Sequence, residues 1–96
     1  MNLLLIISHK NLELFLNPFL SKLIENEINF QCFFTGSGVL NLEEKKLITL
    51  LEKSSSSIVC HQSWQKFFKE KQSPIDEGSQ TNLSEMIAKE VKVISL

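Results

Sequence analysis

Asn2 to Ser8 reads NLLLIIS. Its five consecutive aliphatic side chains, Leu3 to Ile7, leave no polar position for a solvent-facing side, so a strand of this length must be covered on both faces. Such strands sit inside parallel sheets, with helices above and below. The next segment supplies a cover. From Asn11 onward, Leu12, Phe15, Leu16, Phe19, Leu20, Leu23 and Ile24 recur at spacings of three and four, which predicts an amphipathic helix. Pro18 interrupts this pattern: either it kinks the helix, or Asn17 caps a helix that restarts at Pro18.

Ile28 to Thr35, INFQCFFT, is rich in aromatic and branched residues and runs into Gly36, Ser37 and Gly38, so it reads as a second strand ending in a flexible loop. Asn41 opens the next helix with Glu44 three residues on to complete a capping box, and Leu47, Ile48, Leu50 and Leu51 form its apolar face as far as Lys53. Ser54 to Ser57 read as a polar connection, and Ile58 to Cys60 as a short third strand. Trp64, Phe67 and Phe68 mark a third helix of about two turns that ends among Lys69, Glu70 and Lys71. Gln72 to Gly78 read as an irregular connection around Pro74. Asn82 with Glu85 repeats the capping pattern ahead of Leu83, Met86 and Ile87, and Val91 to Leu96 makes a final strand. This alternation predicts an α/β fold: a single-domain, flavodoxin-like three-layer sandwich of about four parallel strands in the order 2-1-3-4, with helices on both faces.

At 96 residues there is room for one domain, residues 1–96. Hydrophobic residues at 43% and charged residues at 22% exclude a disordered, collagen-like or membrane-embedded chain. Ten lysines against eleven acidic residues leave a net charge of -1, so neither direct nucleic-acid binding nor attraction to an anionic membrane is expected. A domain this small gains stability by assembling with itself or a partner. Leu3 to Ile7 is shorter than the core of a signal peptide and Lys10 follows it, so no export signal is expected. Cys32 and Cys60 are too few for a disulfide framework and lack metal-site spacing, which points to a reducing cytoplasm and to no metal.

In parallel sheets, chemistry gathers beyond the carboxyl ends of the strands. The order 2-1-3-4 sets strand 1 beside strand 3, so His9, the Gly36 to Gly38 loop, Cys60 and His61 share one edge. Cys60 ends a strand where a helix begins, and free backbone N–H groups at a helix start favour a thiolate. The alternative is a buried, inert thiol. His61 and His9 are candidates for stabilising that thiolate. Neighbouring residues on a strand face opposite ways, so His61 reaches Cys60 only if the chain has already turned; otherwise it is a solvent-exposed loop residue. No Asp or Asn is evident as an orienter, which makes a Cys-His-Asp hydrolase a poor fit. Cys32, among Phe30, Phe33 and Phe34, reads as structural. Gly36, Ser37 and Gly38 offer backbone N–H groups for an anion, without the dinucleotide fingerprint or the lysine of a phosphate loop; a tight turn is the alternative. Trp64, Phe67 and Phe68 read as core or subunit contact, and Lys45, Lys46, Lys66, Lys69 and Lys71 as a solvated face.

Three stretches carry a resemblance: FFTGSGVLNL at Phe33 to Leu42, SSIVCHQSWQKFF at Ser56 to Phe68, and GSQTNLSEMIAKEVKVISL at Gly78 to Leu96. The chain resembles the DsrE/DsrF-like sulfur-relay family, which includes TusB, TusC and TusD-type subunits. The resemblance implies a cysteine at the end of the third strand that accepts sulfane sulfur as a persulfide and passes it on, and Cys60 falls at that position. It also implies homo- or hetero-oligomers, and sulfur donor and acceptor proteins as partners, towards tRNA thiolation or sulfur oxidation. No organic cofactor is implied. Ser37 stands where the family commonly has an acidic residue, and His61, Gln62 and Ser63 replace small apolar residues. Two other functions fit the same residues: a non-catalytic assembly subunit of this fold, and an anion- or nucleotide-binding domain centred on Gly36 to Gly38.

Overall fold

In the computed structural model, which describes residues 2–88 and 91–96, five parallel strands form one sheet. Lys89 and Glu90, in the last of the stretches that carry the resemblance, lie outside the described residues. The elements run β1 (Asn2–Ile7), α1 (Glu13–Glu25), β2 (Asn29–Phe34), a 3-10 helix (Gly36–Glu43), α2 (Lys45–Leu51), β3 (Ser56–Cys60), α3 (His61–Phe68), β4 (Asp76–Gly78), α4 (Gln80–Ala88) and β5 (Lys92–Ser95). The α/β class, the parallel sheet and the helices on both faces agree with the sequence.

The strand order is β4-β3-β2-β1-β5, which corrects both the number and the arrangement expected. β2 separates β1 from β3, and the last strand pairs with β1 instead of β3. The physical reason lies in β2. Phe30, Cys32, Phe33 and Phe34 are all buried, so β2 is as interior as β1 and needs neighbours on both sides. β5 has edge character, with Val93 40% exposed. β4 escapes a hydrophobic reading altogether: Asp76-Glu77-Gly78 has no apolar side chain and joins the sheet through its backbone beside Ile58 to Cys60. Ser56 and Ser57, taken from the sequence as connection, begin β3.

The order also explains how the helices are shared between the faces. Steps from β1 to β4 all move the same way across the sheet, and right-handed crossovers then put their helices on one side. Leu16, Leu20 and Leu23 of α1, Leu47 and Leu51 of α2 and Trp64 of α3 pack there on Leu3, Leu5, Ile7, Phe30, Phe34 and Val59. The return from β4 to β5 runs the other way, so α4 lies on the opposite face. Met86 and Leu83 of α4 cover Leu4, Phe33, Ile58 and Cys60. Each large side chain fully buried in these layers contributes about 1.5–3 kcal/mol.

Three local expectations change. Pro18 lies inside a continuous α1, so Asn17 is not a cap. The lost N–H leaves the Leu14 carbonyl without a helical donor, and Leu14 is 93% exposed, on the solvent side of the helix. α2 starts at Lys45 after a 3-10 helix, so Asn41 is not its cap. α4 starts at Gln80: the Ser79 hydroxyl accepts the Thr81 N–H, and Asn82 reaches back to accept the Ser79 N–H at 2.8 Å. The capping box is present, with Asn82 as its reciprocal partner and Ser79 as the cap.

Candidate functional site

Because every strand is parallel, the ends of β1, β2 and β3 deliver Ser8, Thr35 and Cys60 to one edge of the sheet. Cys60 is the last residue of β3 and the N-cap of α3, with φ -60° and ψ 120°. It is 5% exposed, shallowly covered at the edge, in the cluster that α4 closes. Burial pushes its thiol up. Against that stand the Ser63 N–H and hydroxyl, the Gln62 N–H and the Thr35 hydroxyl, and together they hold the Cys60 thiol below its ordinary range. None of the helix amides closes a full capping bond to the sulfur. They lower the pKa by facing the charge that forms on ionisation.

Cys32 shows what the same side chain does in mid-strand. Burial pushes its thiol up to about 12, and the Ser57 hydroxyl offsets only part of this. It is a core residue, as its aromatic neighbours imply.

The helix-start amides of Gln62 and Ser63 act on Cys60 as the sequence led us to expect, while the hydroxyls of Thr35 and Ser63 are the groups that sequence reasoning missed. Thr35 follows Phe34, which pairs with Val59, so strand register sets Thr35 beside Cys60. Ser63 is the third residue of α3, the position whose amide faces an N-cap side chain. The spacing Cys60-x-x-Ser63 was visible. The side on which β2 lies was not.

His61 takes a different partner. Its Nδ1 is 2.6 Å from Glu77 Oε1, in an exposed pair that ties the start of α3 to β4. Glu77 pairs with Val59, which faces the α1–α3 side, whereas Cys60 faces α4. The alternation of the strand therefore parts the imidazole from the thiol. Glu77 is the orienter that the sequence did not reveal, because it lies on a strand with no apolar signature. His9 lies two residues past the end of β1 and is exposed, with Nδ1 3.4 Å from the Ser8 hydroxyl. Sequence order had set strand 1 next to strand 3; with β2 between them, the two strand ends stand two spacings apart, about 10 Å.

Gly36, Ser37 and Gly38 open the 3-10 helix. Gly36 has φ 55°, open to glycine at little cost, and its N–H donates to the Ser63 hydroxyl at 2.9 Å. The Gly38 N–H donates to the Thr35 carbonyl at 3.0 Å, and the Ser37 hydroxyl to the Ser8 carbonyl at 3.3 Å. A Cβ on Gly38 would collide with the Ile7 carbonyl, so this turn packs directly on the end of β1. Two of the three amides expected to cradle an anion are thus donated within the protein.

Asn41 completes the edge. It is 1% exposed, and its side chain accepts the Leu12 N–H at 2.8 Å while donating to the His9 carbonyl at 2.8 Å and the Gly38 carbonyl at 3.0 Å. One amide therefore fastens the β1–α1 connection to the glycine turn. Its signal in the sequence was a lone Asn between Leu40 and Leu42.

Among the described residues, no group of three or more His, Cys, Asp or Glu side chains is placed to hold a metal ion. No described helix is long and apolar enough to cross a membrane. A surface groove of about 720 Å³ runs between Leu42 and Ile48 on one wall and Trp64, Phe68 and Pro74 on the other, and Cys60 does not line it. Cys60 lies instead at the sheet edge.

Fold and edge together define an α/β protein with a cysteine, its thiol held below the ordinary range, between the end of a parallel strand and the start of a helix. Compared with known proteins, the chain has no significant match to a family model, to a curated protein or to a solved structure.

Proposed function

We propose that this protein is a sulfur-relay protein of the DsrE-like kind, in which Cys60 accepts sulfane sulfur as a persulfide and surrenders it to a partner thiol. The contrast between its two cysteines carries the reading: burial drives Cys32 up to about 12, while the donors around Cys60 hold it low. The Cys60 thiolate attacks the outer sulfur of a donor persulfide R–S–SH. A new S–S bond forms on Cys60 as the donor's S–S bond breaks, and R–S⁻ leaves with the electron pair. Charge and protons balance, no external oxidant is needed, and no metal or organic cofactor takes part. An acceptor thiolate repeats the exchange in the onward direction. The partners are sulfur donor and acceptor proteins of the cytoplasm, and the pathway leads to tRNA thiolation or to sulfur oxidation.

Intact mass after exposure to a persulfide donor tests this. We expect a reducible gain of one sulfur in the wild type and in Cys32→Ser, and none in Cys60→Ser. Sustained loading of a folded Cys60→Ser variant would sink the assignment.

A second reading has its own observation. Cys60 is covered, while Leu14, Phe15, Ile87 and Val93 lie exposed on the surface. These features favour a non-catalytic subunit that assembles with partners or with its own copies. Sluggish alkylation of Cys60 together with tight oligomers would support it over the carrier.

A further inference from the structure

Ser63 stands where two of the candidate sites meet. Its hydroxyl accepts the Gly36 N–H at 2.9 Å, and the same hydroxyl is among the groups that act on the Cys60 thiol from the first turn of α3. A serine hydroxyl has one proton and two lone pairs. With a lone pair held by Gly36, the proton remains free to donate, and an O–H that accepts a hydrogen bond becomes a stronger donor. Thr35, the residue just before that glycine, brings a second hydroxyl to the same sulfur.

We infer that Ser63 is a positioning residue that relays the Gly36 amide to the Cys60 sulfur, so that the glycine turn supports the thiolate without touching it. The turn thereby acts on an anion after all: the anion is the protein's own sulfur. This inference rests on the reading of Cys60 as a working thiolate, but its test needs no sulfur donor.

The rate at which iodoacetamide alkylates Cys60 is measured against pH on the full chain, with peptide mass separating Cys60 from Cys32. Wild type, Ser63→Ala and Ser63→Thr are compared after circular dichroism shows matching folds, with Ser63→Gly as the second deletion if Ser63→Ala does not fold. In Ser63→Ala we expect a profile displaced to higher pH and a rate at pH 7 roughly 3- to 10-fold lower, as fits the loss of one hydrogen bond to a charged group. Ser63→Thr, which keeps the hydroxyl, should return to within about twofold of wild type. A deletion profile that superimposes on the wild type overturns the relay, and so does a folded Ser63→Thr that behaves like Ser63→Ala. A displaced profile without any persulfide loading would instead remove the sulfur-transfer reading and leave the relay standing.

Discussion

Replacing Asn41 with Ala should cost this protein much of its stability, although Asn41 touches no reacting group. Its amide makes three hydrogen bonds, at 2.8, 2.8 and 3.0 Å, to Leu12, His9 and Gly38. Alanine leaves one N–H and two carbonyls short of a partner. An unsatisfied buried group costs about 1–3 kcal/mol. The bond to Gly38 is fully buried and the other two partly, so roughly 1–2 kcal/mol for the first and about 1 for each of the others gives a total near 3–4 kcal/mol. Domains of this size have about 5–15 kcal/mol in all, and 1 kcal/mol shifts the midpoint by about 4–8 °C, so Tm should fall by roughly 15 °C or more. Urea and thermal unfolding followed by circular dichroism measure both quantities. Asn41→Asp sharpens the test. One carboxylate oxygen still accepts the Leu12 N–H, but the other faces two carbonyl oxygens. Burial and these carbonyls favour the protonated acid in the folded state, raising its pKa above the unfolded value. Stability should then fall as pH rises through the ordinary carboxylate range and recover on acidification. A loss below about 1 kcal/mol in Asn41→Ala would refute the idea that this side chain fastens the edge.

The two cysteines should pull alkaline stability in opposite directions. The Cys32 pKa is raised to about 12 in the fold, so the unfolded chain ionises first, and each pH unit above the ordinary thiol value costs about 1.4 kcal/mol until that pKa is reached. Cys32→Val should flatten the loss between about pH 9 and 11 seen by urea unfolding, and an unchanged slope would count against it. The Cys60 pKa is lowered, so its contribution is present above the ordinary thiol value and fades as pH falls through the folded pKa. Gly38→Ala should destabilise by about 1–3 kcal/mol because its Cβ meets the Ile7 carbonyl, whereas Gly36→Ala pays only for a left-handed φ, about 1–2 kcal/mol; equal costs by thermal unfolding would show that β1 yields to the intrusion. Glu77→Gln should cost less than about 1 kcal/mol, since its pair with His61 is exposed, and should change Cys60 alkylation at pH 7 by less than about twofold. A tenfold fall, or a second inflection near pH 6–7 in the wild-type rate profile, would bring an imidazole back to the thiolate.

Much of this fold was legible because apolar pattern and burial agree. NLLLIIS and INFQCFF announce interior strands, and the period of α1 survives the proline within it. What stayed hidden is pairing, which the backbone makes and side chains only imply. β4 has no apolar residue, so no pattern marks it, and with it went the partner of His61. The order of β1, β2 and β3 turns on β2 having a strand on each flank, a demand that its buried aromatic run carries and that the order 2-1-3-4 leaves unmet. The 3-10 helix was lost because Asn41 and Glu44 match a capping box that the chain does not use: Asn41 spends its amide on three backbone groups elsewhere. At the site, Cys60 and its helix were readable from strand end and helix start, while Thr35 depended on strand order and Ser63 on the direction of one hydroxyl.

That one step in strand order decides the chemistry of the edge. With strand 1 beside strand 3, the nearest side chain from a neighbouring strand end would have been the His9 imidazole. With β2 in that place the neighbours are Thr35 and, through Gly36, Ser63. Their hydroxyls and amides are neutral dipoles that carry no titrating charge in the range in which thiols work. A sulfur stabilised this way needs no general base, and its reactivity follows its own ionisation alone. Such an arrangement suits exchange between sulfurs, where the attacking and leaving groups are both thiolates and no proton has to be delivered to a departing atom. It suits hydrolysis poorly, because a leaving oxygen or nitrogen requires an acid within reach, and the nearest imidazole, His61, is held by Glu77 on the opposite face. The parallel sheet gathers the strand ends; the order in which it gathers them determines that Cys60 sits among hydroxyls.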